Sequence, residues 1–124
     1  MISYKIFISL MLMTNFLFME RMERQLLIFG NDKQPLLVKQ QLALFDKEST
    51  GFNERDIKIS VVKKDNLYYK KYCIEPGSFT VILLGKDGTE KFRTSEILPT
   101  QKLFALIDAM PMRQAEMKRN NMPK

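Results

Sequence analysis

The stretch Phe79 to Ser95, FTVILLGKDGTEKFRTS, decides the fold. Phe79 to Leu84 is an unbroken run of apolar or β-branched residues, the pattern of a strand covered on both faces, which belongs in the interior of a sheet. Gly85-Lys86-Asp87-Gly88 follows as a tight reversal, with Asp87-Gly88 suited to the positive φ that short hairpin turns require. Thr89 to Ser95 alternates charged with apolar or hydroxyl side chains, so the returning strand has one wet face and lies near an edge. A core strand joined to a rim strand is the fixed point for placing the rest of the chain.

Upstream, Gln25-Leu26-Leu27-Ile28-Phe29 reads as a first strand closed by Gly30, after a charged break from Glu20 to Arg24. Asn31 and Asp32 are positioned to cap a helix with Pro35 in its first turn. Val38, Leu42 and Phe45, with Leu37 and Leu44 beside them, give that helix one apolar face. Gln40, Gln41 and Lys47 fall on the other side, and the stop is expected near Ser49-Thr50-Gly51. Asn53 to Asp56 is a polar connection to a second strand, Ile57 to Val62. Strand, helix and strand in so short a span form a βαβ unit, which makes the two strands parallel.

Lys63 to Asn66 then caps a short helix, Leu67 to Tyr72, and the loop Cys73 to Ser78 delivers the chain to the core strand. Downstream of the hairpin, Gln101 to Met110 is a helix with Leu103, Ile107 and Met110 on one face and Phe104 beside them. Pro111 interrupts it, and a basic segment continues to Lys124.

Composition narrows the chemistry. The 124 residues suit one domain with one modest core, and 45% hydrophobic with 27% charged residues is ordinary for a folded protein. There is no histidine and a single cysteine, Cys73. Structural zinc, any other metal centre and any cofactor are therefore not expected, nor is catalysis by a Ser-His-Asp or Cys-His set. The net charge of +6 favours acidic partners. At the N-terminus, Lys5 precedes a segment that is apolar from Ile6 to Met19 apart from Ser9, Thr14 and Asn15. It is shorter than the roughly 20 residues a spanning helix needs and has the length of a signal-peptide core. Residues 1–24 thus read as a hydrophobic leader of an exported protein, with a folded domain at 25–119 and a basic tail at 120–124. No small-x-small cleavage site precedes Glu20, since Leu17, Phe18 and Met19 are bulky. The alternatives are a membrane anchor at residues 6–19, or a cytoplasmic protein whose translation starts at Met19 or Met22.

The element order β-α-β-α-β-β-α is that of an α/β thioredoxin-like domain, with a four-stranded mixed sheet flanked by helices. The segments GSFTVILLGKDG at 77–88 and FALIDAMPMRQAEMKR at 104–119 resemble the bacterial domain of unknown function 4174 family. The resemblance covers residues 25–119. It implies a thioredoxin-like fold, kinship with repeats in secreted animal matrix proteins, and no set activity. Thioredoxins open the helix after the first strand with a CxxC pair; the corresponding positions here, Gly30 to Pro35, hold no cysteine. Nor is there a threonine-x-x-cysteine arrangement of the peroxiredoxin kind, and Pro76 sits too early to stand for the proline that precedes the third strand in thioredoxins.

The expectation is a non-catalytic binding or structural module of the cell envelope, whose partner is an envelope protein or an acidic ligand, with membrane contact only through the leader. The alternative is a thiol-dependent oxidoreductase using Cys73, with Lys70 and Lys71 near enough in sequence to favour the thiolate. The run Lys63 to Tyr72 interleaves aromatic and basic residues as a single-stranded nucleic acid platform does. A surface helix with tyrosines packed on the sheet explains it as well, and no nucleic acid partner is expected. Asp108, Arg113 and Glu116 are spaced so that a helix broken at Pro111 sets both acids beside the arginine, a latch closing the C-terminus onto the sheet. Met110, Met112 and Met117 offer the competing reading of an adaptable apolar patch.

Overall fold

The structure, a computed structural model, describes residues 22–121. Its elements are β1 (Arg24–Phe29), α1 (Pro35–Asp46), α2 (Ser49–Glu54), β2 (Ile57–Val61), α3 (Tyr68–Lys71), β3 (Thr80–Leu84), β4 (Glu90–Thr94), α4 (Thr100–Asp108) and α5 (Pro111–Asn121). The strands form one sheet in the order β2-β1-β3-β4. β1 runs parallel to β2, with Arg24 opposite Ile57, and antiparallel to β3, with Leu27 opposite Ile82. β3 pairs antiparallel with β4. The fold is thus an α/β thioredoxin-like arrangement, a mixed four-stranded sheet flanked by helices.

Both interior strands are buried along their length, as unbroken apolar runs require when helices cover both faces. Alternation sends their side chains to opposite sides. Leu26, Ile28, Val81 and Leu83 join Val38, Phe45, Phe52, Leu103 and Ile107 beneath α1, α2 and α4. Leu27, Phe29, Ile82 and Leu84 meet Val62, Ile74, Tyr69 and Tyr72 on the α3 side. Phe29 is the hub of that smaller core, with Tyr69 edge-on at 5.1 Å and Tyr72 at 6.4 Å between ring centroids. Tyr69 and Tyr72 of the 63–72 run therefore pack inward, while Tyr68, Lys63, Lys64, Lys70 and Lys71 are exposed.

Four local expectations are corrected. The first helix stops at Asp46, and Gly51 lies inside a second short helix rather than ending the first. Gly51 is there for space, because a Cβ would come within 2.6 Å of the Phe104 ring. Neither Asn31 nor Asp32 caps α1; Gln34 holds that position without a side-chain hydrogen bond, and the Gln34 and Lys33 N–H groups instead donate to the Gly30 carbonyl. Gln41 is fully buried rather than solvent-facing. In the hairpin only Gly88 takes positive φ, at 80°. The Gly85 N–H donates to Thr89 O at 2.9 Å and the Gly88 N–H to Gly85 O at 3.0 Å, a three-residue loop with glycine in the left-handed position.

Candidate functional site

The sheet ends at the C-terminus of β1, where Gly30 turns the chain away with φ of 96° and no room for a side chain: a Cβ would lie 2.5 Å from the Ser78 carbonyl oxygen. The Gly30 N–H, past the last ladder bond, donates to the Tyr69 hydroxyl at 3.0 Å. That bond ties α3 to the loop opening α1. Between them, and bounded by Gly77 in the loop before β3, lies a groove of about 560 Å³ lined by Asp32, Leu67, Tyr69, Lys70 and Cys73 among others. Its floor is largely apolar and its rim carries both signs of charge, so it suits an extended chain with one apolar side chain better than a compact anion.

Cys73 is exposed and stands between this groove and a second, shallower hollow that reaches Arg93 and Glu96. Its backbone is left-handed, φ 55°. Cys73 N–H donates to Lys70 O at 3.2 Å and Ile74 N–H to Tyr69 O at 2.8 Å, the pair of bonds that ends a helix at a residue usually glycine. The apolar contact that accompanies this motif is Ile74 against Tyr69 in the smaller core. Backbone geometry thus holds the thiol outward. Across the groove, in the turn that leads into α1, Asp32 lines the wall, and its neighbours Asn31, Lys33 and Gln34 include no cysteine. A dithiol couple cannot form with one sulfur, so the site can hold a peptide-like partner or exchange a single thiol, but it cannot cycle between dithiol and disulfide within the chain. Among the described residues no group of three or more His, Cys, Asp or Glu side chains is placed to hold a metal ion.

At the opposite end of the sheet the structure brings Asp108, Arg113 and Glu116 together, in a larger ion-pair network. Arg113 Nε donates to Asp108 Oδ1 at 3.1 Å, and its Nη1 lies 3.5 Å from Glu116 Oε2 and donates to the Glu54 carbonyl. Arg55 engages Asp108 through two nitrogens, at 3.0 and 2.9 Å, while its guanidinium lies 3.9 Å above the Phe104 ring. Glu116 accepts both terminal nitrogens of Arg24, at 3.3 and 3.2 Å, and lies 2.7 Å from Lys86 Nζ. Lys86 also donates to Asp56 at 2.8 Å. For Asp108 and Glu116 alike, burial would push the carboxyl up, but the hydrogen bonds and charges of Arg55 and Arg113, and of Lys86 and Arg24, outweigh it and hold each below its ordinary value.

Three members of the network escape sequence reasoning. Arg24 reads as part of a charged break yet is the first residue of β1 and almost wholly buried; Lys86 reads as an exposed turn residue yet is buried. Arg55 sits in a stretch that reads as a polar connection. Nothing local marks them, since their charged partners on other elements lie 30 to 92 residues away.

Residues 64–116 match the model of a family described as Domain of unknown function (DUF4174). Over that span the chain is similar to the DUF4174 family, and its fold is thioredoxin-like. The matched span contains α3 with Cys73, the β3–β4 hairpin, and the network from Lys86 to Glu116. Among solved structures the chain is similar to thioredoxin-2, described as a component of malaria parasite protein secretion machinery. The TM-score is 0.56 at 22% identity, over 72% of this chain and 84% of that one. This likeness is one of fold. No curated protein matches the chain.

Proposed function

We propose that the thioredoxin-like domain of this chain is a non-catalytic binding module of the cell envelope, exported through its hydrophobic leader, which holds a protein partner in the groove between the Gly30 turn and α3. The observation that carries this reading is the groove itself: it retains the position where thioredoxins do redox chemistry, but its α1 side is Asn31-Asp32-Lys33-Gln34, with no thiol. An apolar floor with a mixed-charge rim favours an extended segment of an envelope protein, with acidic residues near Lys64 and Lys70. The ion pairs of Asp108, Arg113 and Glu116 serve as a structural latch in this reading.

The test is reduction of a soluble protein disulfide by the purified full chain, with dithiothreitol as the electron source. The expected rate equals that of dithiothreitol alone; turnover above it overturns the non-catalytic reading. N-terminal sequencing of the protein from its native host tests export separately.

The exposure of Cys73 on the groove favours a second reading. Its thiolate would attack a disulfide of the partner, forming a mixed disulfide and releasing the partner's other sulfur as a thiolate. A thiol probe reacting with Cys73 no faster than with free cysteine at neutral pH ends that reading, as does any exchange activity that survives Cys73→Ser.

A further inference from the structure

We propose that a second site, distant from the groove, binds a small carboxylate with a short apolar body. It is a cavity of about 200 Å³ between the β3–β4 hairpin and the α4–α5 break, lined by Arg24, Lys86, Asp87, Lys91, Met110 and Met112 among others.

The donors around this cavity outnumber the acceptors that face them. Arg24 is 1% exposed, and its terminal nitrogens are engaged by the Arg55 carbonyl and Glu116. Its Nε is buried and has no hydrogen-bond partner among the described residues. Lys86 Nζ has two carboxylate partners, Glu116 and Asp56, for its three N–H bonds. Among the described residues Lys91 Nζ pairs with Asp87 alone, at 3.1 Å. The acid in the wall is already committed: Asp87 Oδ1 accepts from the Thr89 N–H and hydroxyl and Oδ2 from Lys91, which lowers its pKa to about 2. Protein acceptors therefore leave donors of three cationic side chains unused, in a wall that is otherwise methionine, proline and hydrocarbon stem.

A carboxylate supplies what is missing, since its two oxygens accept several N–H bonds at once. The size of the body follows from the volume. At about 30 Å³ per water-sized unit, 200 Å³ holds roughly seven non-hydrogen atoms, the size of pentanoate. Met112 is 48% exposed, and like Met110 it is unbranched and can swing to let the head group reach Arg24 Nε.

The experiment titrates the full chain, labelled at its methionine methyl carbons, with sodium pentanoate, and in parallel with pentan-1-ol and pentylamine. The expected result is saturable shifts of the Met110 and Met112 resonances with pentanoate, no saturation with the amine, and weaker shifts with the alcohol. Lys91→Gln removes a half-exposed positive charge without touching the buried ion pairs and is expected to weaken pentanoate about three-fold. Met112→Trp fills the cavity from a solvent-accessible position and is expected to abolish the Met110 shift while leaving the thermal midpoint unchanged. Shifts that stay linear in pentanoate, that are matched by pentylamine, or that persist in Met112→Trp overturn the site.

Discussion

Single residues carry strain and charge whose effects are separable. Cys73 occupies a left-handed conformation that costs an L-residue about 1 kcal/mol and glycine nothing. Cys73→Gly is therefore expected to raise stability by roughly 0.5–1 kcal/mol in urea unfolding; a loss of stability would show that the side chain contributes contacts outweighing the strain. Glu116 has the opposite character, because it compensates Arg24 and Lys86, both buried. Glu116→Gln keeps the volume and removes the charge, leaving uncompensated cations, and is expected to cost about 3–5 kcal/mol. A loss below about 1 kcal/mol would mean the network relaxes onto Asp56 or solvent. The residues that define these effects were unevenly legible. Cys73, Asp108, Arg113 and Glu116 stand out from composition and spacing, whereas Arg24 and Lys86 do not. A charged residue at a strand start or in a turn reads as solvated, and only partners distant in sequence, Glu116 for both with Asp56 for Lys86, make its burial tolerable.

At the scale of elements, what sequence shows least is how loops are fastened. Gln41 lies on α1 with its side chain completely buried; its Oε1 accepts from the Leu98 N–H at 2.7 Å and its Nε2 donates to the Leu98 carbonyl at 2.9 Å. The amide stands in for a backbone partner, joining α1 to the segment that enters α4. Gln41→Met preserves length and removes both bonds. It is expected to cost about 2–6 kcal/mol, two buried backbone groups left unpaired at about 1–3 each; a change under 1 kcal/mol in the urea midpoint analysis would show that water replaces the amide. The spacing 38, 41, 45 puts position 41 on the buried face of the helix, but glutamine reads as solvent-seeking and so is assigned to the polar side; a buried clamp departs from that rule. The strands were far more legible. The runs Leu26 to Phe29 in β1 and Val81 to Leu84 in β3 are wholly apolar and lie inside, β4 alternates and lies at an edge, and these patterns depend on local side-chain chemistry alone. Gly51 fell between: glycine near a helix end reads as a stop, but here the nearby Phe104 ring decides, and the helix continues past it.

For the molecule as a whole, the ion-pair network sits at one end of the sheet and the groove at the other. The carboxyls of Asp108 and Glu116 titrate below their ordinary values of 3.8 and 4.5. Depressed folded-state values mean that the unfolded chain binds protons first on acidification. Stability from these pairs is thus complete above about pH 5 and is lost as pH falls through the folded-state values. The urea midpoint is expected to hold level from pH 7 to 5 and to fall below pH 4.5. In Glu116→Gln the fall is shallower, and an unchanged slope would remove Glu116 from the acid response. At the groove end, the thioredoxin-like scaffold persists without its cysteine pair, and the frame rests on β3 lying between β1 and β4. Native-state amide hydrogen exchange addresses that placement most directly. The amides of Val81 to Leu84 are expected to exchange only through global unfolding, with those of Ile57, Ile59 and Val61, which face away from β1, and the outward-facing positions of β4 exchanging orders of magnitude faster. Exchange of the β3 amides at the rate of the edge strands would contradict the sheet order and, with it, the assignment of the groove.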